Sequence, residues 1–270
     1  MKAYDILFER ADGTAAYDPE YGDTFPAPDR PADGWIGTEG PGMDPETWPR
    51  GPETGLPMFH AITLRLPADY QRKGAAFTGI AFFQGEGEFA EPYKARGFRD
   101  PFVKQLKDAR PHPQLQLRED LIGGQFALIW LTEEELSRGP ASPPPDPRRP
   151  GEHLGSDDGG PNAWDEGPHA VQRVWLAERP DPNAGLAPLD HSGPDDAYRP
   201  RFDSATWELE PWARPLAGRC HLGGTAFPIQ ALPDGLTPWY LELTELPGLN
   251  FGTGNAQIDL ESDAFDWACG

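Results

Sequence analysis

The sequence predicts an α+β protein built mainly of antiparallel β-sheet, with long Pro/Gly-rich loops and few short helices. Three observations carry this. The 270 residues include 33 prolines and 31 glycines, which leave few windows long enough for a helix. Hydrophobic residues make up 37%, with nine Trp and fourteen Phe, so the chain is not a disordered polymer. Several short apolar runs recur without the regular intervening helices of βαβ units.

Taken in order, Tyr4-Asp5-Ile6-Leu7-Phe8-Glu9 reads as a first short strand. Residues 10–57 are crowded with turn formers, including Asp-Gly at 12–13 and 33–34. They are expected to wrap the surface on their aromatics, or to form a mobile loop, rather than to build regular elements. Met58 to Leu66 alternates, with His60, Ile62, Leu64 and Leu66 as the more buried set. Residues 67–72 read as a short helical turn or loop. Thr78 to Gln84 is nearly all apolar and reads as a central strand stopped by Gly-Glu-Gly-Glu at 85–88.

Pro101 to Ala109 allows a brief helix with Phe102, Val103 and Leu106 on one face. Gln125 to Leu131 is a further strand. Thr132 is placed to cap Glu133-Glu134-Glu135-Leu136, with Glu135 completing a capping box. Residues 139–168, with Pro143-Pro144-Pro145 and Asp157-Asp158-Gly159-Gly160, read as a disordered linker or a long surface excursion. Strand patterns resume at 170–176, 239–243, 256–260 and 265–269. The expectation is one large domain over 1–270, or two sheet-containing halves, 1–138 and 169–270, joined by 139–168.

The most informative local motif is Leu222-Gly223-Gly224-Thr225-Ala226-Phe227-Pro228-Ile229-Gln230. Adjacent glycines beside folding segments imply tight backbone packing or a positive φ. Ile122-Gly123-Gly124-Gln125-Phe126 resembles it faintly, and two short matches in a Gly-rich chain are weak grounds for a repeat. Neither pair completes a GxGxxG fingerprint or a lysine-containing phosphate loop, which argues against dinucleotide binding.

Lys and Arg number 23 against 44 Asp and Glu, a net charge of −21. Such a field repels phosphate backbones and anionic lipid, so neither nucleic acid nor membrane is an expected partner. A basic protein, a small molecule or plain solubility all fit. Cys220 and Cys269 are too few for a disulfide scaffold, and buried free thiols are expected. The residues from Met1 onward lack an apolar signal core, and no run reaches the length of a membrane span, so the expected compartment is the cytoplasm.

Three stretches carry a resemblance. They are Leu222, Gly223, Gly224 and Gln230; Phe251-Gly252-Thr253-Gly254-Asn255; and the closing Trp267-Ala268-Cys269-Gly270. Together with Leu56 to Leu64 they resemble the DUF1963, YwqG-like family of uncharacterised bacterial proteins, over about a third of the chain. The proline lies displaced at Pro228, Thr225-Ala226-Phe227 replaces the more usual aromatic-proline combination, and the closing segment is short. The resemblance implies an intracellular bacterial α+β protein dominated by antiparallel sheet. It carries no catalytic residue, and offers only a weak hint of companionship with toxin systems.

No catalytic constellation stands out. None of the six histidines lies three or four residues from another, so there is no HExxH-type pair. His60, inside a strand, reads first as a satisfied structural histidine. His221 adjoins Cys220, but neighbours on a strand point to opposite faces, which makes a dyad unattractive. Glu86 and Glu88 are placed to project together beyond the central strand, although no motif fixes them as a glycosidase pair. Asp157-Asp158 and Asp195-Asp196 lack calcium-loop spacing and read as solvated turns. No metal or cofactor is expected.

The tryptophans read as packing between sheets and as loop anchors, with a recognition surface as the competing reading. The leading functional expectation is a non-enzymatic binding protein, in its specific form an immunity or regulatory protein for a basic partner. The alternative is a hydrolase or other enzyme at the sheet rim, with His60, Glu86, Glu88 and His221 as candidate positions. A third reading is a structural scaffold.

Overall fold

The structure is a computed structural model that describes residues 1–94, 97, 99–148, 160–193 and 195–270. Within these it contains thirteen strands: β1 (Ala3–Glu9), β2 (Thr14–Ala16), β3 (Thr24–Pro26), β4 (Gly34–Ile36), β5 (Phe59–Arg65), β6 (Phe77–Gln84), β7 (Leu115–Glu119), β8 (Gln125–Thr132), β9 (Gln172–Arg179), β10 (His221–Leu222), β11 (Tyr240–Thr244), β12 (Asn255–Asp259) and β13 (Phe265–Ala268). Two short α-helices are described, α1 (Pro101–Asp108) and α2 (Glu133–Ser137). The fold is therefore mostly antiparallel β-sheet, as composition and strand pattern predict.

The chain divides into two compact units. The first comprises Met1–Asp33, Val174–Leu246 and Asn250–Gly270. Its sheet runs β13-β12-β11-β10-β1-β9, all antiparallel, with β2 on the end of β1 and β3 on β2. β1 is its longest-paired strand, running from Ala3 opposite Arg179 to Phe8 opposite Val174. Leu7, Ala15 and Trp175 form one core cluster of this unit, and Ala226, Leu236 and Tyr240 another.

The Gly223-Gly224 motif lies here, directly after β10. Both residues have positive φ, 58° and 85°. A Cβ on Gly224 would meet Asp181 Oδ2 at 2.5 Å, so close approach and left-handed backbone both demand glycine.

The second unit comprises Gly34–Arg173 and Pro247–Leu249. Its antiparallel sheet runs β4-β5-β6-β8-β7, with β6 central. One face packs Met58, Phe83, Ala127, Ile129 and Leu131 under Trp48, Met43 and Leu136 of α2. On β5 every residue but Arg65 is buried, so Phe59, Ala61 and Thr63 are as enclosed as the alternate set. The expectation of one more exposed face is corrected: a strand enclosed on both faces carries apolar residues on both.

Two helix starts follow from their caps. Asp100 accepts the amide of Phe102 at 2.9 Å ahead of Pro101. Thr132 and Glu135 form the reciprocal capping box read from the sequence.

Two other expectations change. Residues 10–57 contain β2, β3 and β4, three-residue strands too short to show a period. The described part of 139–168 is tied down: Ala141 bridges Gly40, Trp164 Nε1 donates to Pro144 O at 2.8 Å, and Ala163 N donates to Pro57 O at 2.8 Å. This corrects the linker reading in favour of a surface excursion there. His153 and Asp157-Asp158 lie outside the described residues.

Candidate functional site

Strand β7 ends the second unit's sheet and pairs with β8 alone among its described strands. The loop joining them, 120–124, is built by Asp120. Its Oδ1 accepts the amides of Ile122 at 3.0 Å and Gly124 at 2.7 Å. Gly123 has φ 91°, a conformation that leaves the turn tight. This turn lifts two aliphatic residues outward: Leu121 is 90% exposed and Ile122 55%. Leu117 on β7, at 49%, and Phe89, at 64%, extend the apolar surface. Exposed large apolar side chains gathered on one edge of a sheet are candidates for an interaction surface.

Beside them lies a cavity of about 520 Å³. Its charged lining is Glu53, Glu86, Glu88 and Glu119 against the single cation Arg118. Glu86 builds the wall. It is only 4% exposed, and its carboxylate accepts the amides of Glu53 at 2.6 Å and Thr54 at 2.9 Å, together with the Thr54 hydroxyl. Its own carbonyl accepts Gln125 N at 2.8 Å, and Gly85 N donates to Gln125 O at 2.7 Å. The loop 51–54, the end of β6 and the start of β8 are thereby held together. Glu88 is exposed at the cavity rim.

The sequence-derived candidates separate. Glu86 and Glu88 share this cavity, as their spacing implies, but the Glu86 carboxylate is committed to backbone donors. His60 is fully buried in β5 and does not line the cavity. Its Nδ1 lies 2.8 Å from Gly37 O, which can only accept, so Nδ1 carries the proton. Nε2 then accepts the Thr63 hydroxyl at 2.8 Å. Burial lowers this imidazole to about 4, so both ring nitrogens are neutral and used.

His221 belongs to the first unit, fully buried. Burial holds it well below its ordinary value, and the cations Arg179 and Arg219 push the same way. Nδ1 faces Arg219 O at 2.9 Å, and Nε2 lies 3.2 Å from Tyr240 Oη. Glu242 is 3.9 Å from Nε2, too long for a hydrogen bond and opposite a neutral ring, so the two do not form an ion pair.

Cys220, the neighbour of His221, is bonded elsewhere, to Thr244 Oγ1 at 3.2 Å. Burial pushes its thiol up to about 11. That removes the thiolate a nucleophile requires. Both cysteines are free, but only Cys220 is buried; Cys269 is exposed, which corrects the expectation of two buried thiols. The first unit also holds a buried polar network in which Arg179 pairs with Asp5 and Asp181, each at 2.9 Å.

No group of three or more His, Cys, Asp or Glu able to hold a metal occurs among the described residues. No described helix is long and apolar enough to cross a membrane. No protein-family model matches the chain, and neither a curated protein nor a solved structure matches it. The sequence points to Glu86 and Glu88 but misses Leu117, Leu121 and Ile122. The available signal was two large aliphatics inside an Asp-to-Gly-Gly turn, where polar residues are the rule.

Proposed function

We propose that the chain is a non-enzymatic binding protein that takes up an extended, basic and apolar segment of a partner protein along β7 and its turn. The observation that carries this is the pairing of the exposed Leu117, Leu121, Ile122 and Phe89 with a cavity lined by four glutamates and one arginine. An edge strand offers main-chain pairing to an extended segment. The apolar side chains supply burial, and the acids select a cationic partner and speed its approach. The net charge of −21 acts in the same direction at longer range.

An immunity or regulatory role toward a basic protein fits this reading, as does the resemblance to DUF1963 proteins, intracellular and bacterial. The hydrolase alternative draws no support from His60, Glu86 or His221, whose polar atoms are engaged within the fold.

The test is affinity capture at low ionic strength with wild-type and Leu121→Ser/Ile122→Ser baits, eluted by rising salt. The expected result is one basic, stoichiometric partner that salt releases and the variant fails to hold. Equal retention by both baits, or no partner on either, overturns the proposal.

A further inference from the structure

A second cavity, about 480 Å³, opens in the second unit between residues 48–55 and α1. Its walls are largely apolar, with Trp48, Tyr93, Val103 and Leu106 among them. Its charged groups run against the balance of the whole chain: Arg50 and Arg110 face a single acid, Glu53. Arg110 has Asp44 and Glu46 at 3.8 and 3.6 Å, so its charge is already opposed.

Arg50 differs. Its Nη1 donates to Gly55 O at 2.8 Å and its Nη2 to Gln105 Oε1 at 3.0 Å, both neutral acceptors. Its Nε is buried without a hydrogen-bond partner. No carboxylate pairs with it among the described residues, although the chain holds 44 acids. Burial lowers its ordinary value to about 10, with no acid opposing that shift, yet leaves it charged at neutral pH. A guanidinium offers five donors in a planar fork suited to carboxylates, and three of the five are unused here. On the wall of an apolar cavity this half-buried cation therefore has two neutral acceptors and the Trp164 ring, 6.0 Å from its Cζ, but no carboxylate counter-ion among the described residues.

We propose that this cavity binds a small monocarboxylate with an apolar body, its carboxylate on the Arg50 guanidinium and its body against Trp48, Tyr93 and Leu106. A single uncompensated cation, with Glu53 nearby, disfavours dianions such as phosphate monoesters. An apolar cavity with one oriented polar group is the usual make-up of a small-molecule site. This cavity adjoins the β7 face, with Pro52 and Glu53 common to both cavities and Leu115 of β7 in its wall, but the carboxylate contact proposed for Arg50 does not draw on the exposed aliphatics of that face.

The experiment is calorimetric titration of the intact chain with 3-phenylpropanoate and with its neutral isostere 3-phenylpropan-1-ol. The expected result is saturable one-to-one binding of the acid, tighter than the alcohol by about tenfold, the scale of one charge-assisted contact. Arg50→Gln removes that preference, and Val103→Trp, which fills the cavity and keeps Arg50, abolishes the binding of both. Acid and alcohol binding alike to wild type, no saturable binding of the acid, or Val103→Trp binding as wild type overturns the proposal. The wild-type comparison decides even if Arg50→Gln fails to fold.

Discussion

Asp120 Oδ1 accepts the backbone amide of Ile122 at 3.0 Å, so the turn that exposes Leu121 and Ile122 is held from within rather than by packing of those side chains. Stability and display are thereby uncoupled. Leu121→Ser/Ile122→Ser is expected to change unfolding free energy by less than about 1 kcal/mol, because Leu121 is almost wholly in water and Ile122 more than half exposed. Asp120→Ala removes the one oxygen that accepts both the Ile122 and Gly124 amides and is expected to cost about 1–2 kcal/mol. Chemical denaturation of the two variants separates them, and a large loss from the serine pair would show that the aliphatics pack.

Glu86 joins the loop 51–54 to β6 and β8 through its carboxylate. Glu86→Gln replaces one accepting oxygen with an amide nitrogen that faces backbone donors. The expected cost is about 2 kcal/mol, with faster hydrogen exchange at Glu53 and Thr54. Glu88→Gln, at an exposed position, leaves stability unchanged. Equal effects from the two would remove the structural role assigned to Glu86.

Glu242 in the first unit is 1% exposed, and burial raises its carboxyl from the ordinary 4.5 to about 7. Hydrogen bonds from Phe227 N, Gln257 and Asn255 and the cations Arg179 and Arg201 oppose that rise, and His221 faces it as a neutral ring. Below pH 4.5 the group is protonated folded and unfolded alike. Between 4.5 and about 7 the folded chain keeps a proton that the unfolded chain has lost, so this contribution to stability falls as pH rises through the window.

His60, lowered to about 4 from 6.5, gives the opposite slope, since the unfolded chain takes up its proton first as pH drops. The difference between wild type and Glu242→Gln isolates the glutamate. That difference is expected to decline by on the order of 3 kcal/mol from pH 4.5 to 7. A flat difference profile would mean that Glu242 is ionised in the fold.

The two thiols are expected to separate in a native titration with a disulfide reagent at pH 8. Cys269 is exposed and reacts, whereas Cys220 is buried, with its thiol pushed up to about 11, and reacts only on unfolding. Two fast thiols in the native chain would contradict the burial of Cys220.

Much of the sheet is legible in the sequence because burial on both faces writes apolar residues at consecutive positions. Phe77–Gln84 and Gln125–Thr132 are of this kind. The capping box at Thr132 and Glu135 is local chemistry and reads directly. β7 does not, because Leu115-Gln116-Leu117-Arg118-Glu119 is a short edge strand whose middle leucine faces solvent and whose arginine is buried. Its pattern is inverted relative to a strand that hides its leucines.

The candidate site is legible only in part for the same reason. The Glu86 and Glu88 spacing places both at one cavity, but the donors that occupy Glu86 come from residues 53 and 54, over thirty positions away. The isolation of Arg50 is equally a tertiary fact. Nothing in Pro49-Arg50-Gly51 distinguishes it from a solvated arginine.

Amide hydrogen exchange of the chain alone and bound to its captured basic partner tests the proposed binding face most directly. Protection gained over residues 86–90 and 115–122, with the other described strands unchanged, is the predicted result. Protection gained elsewhere while 115–122 exchanges as in the free chain would contradict it.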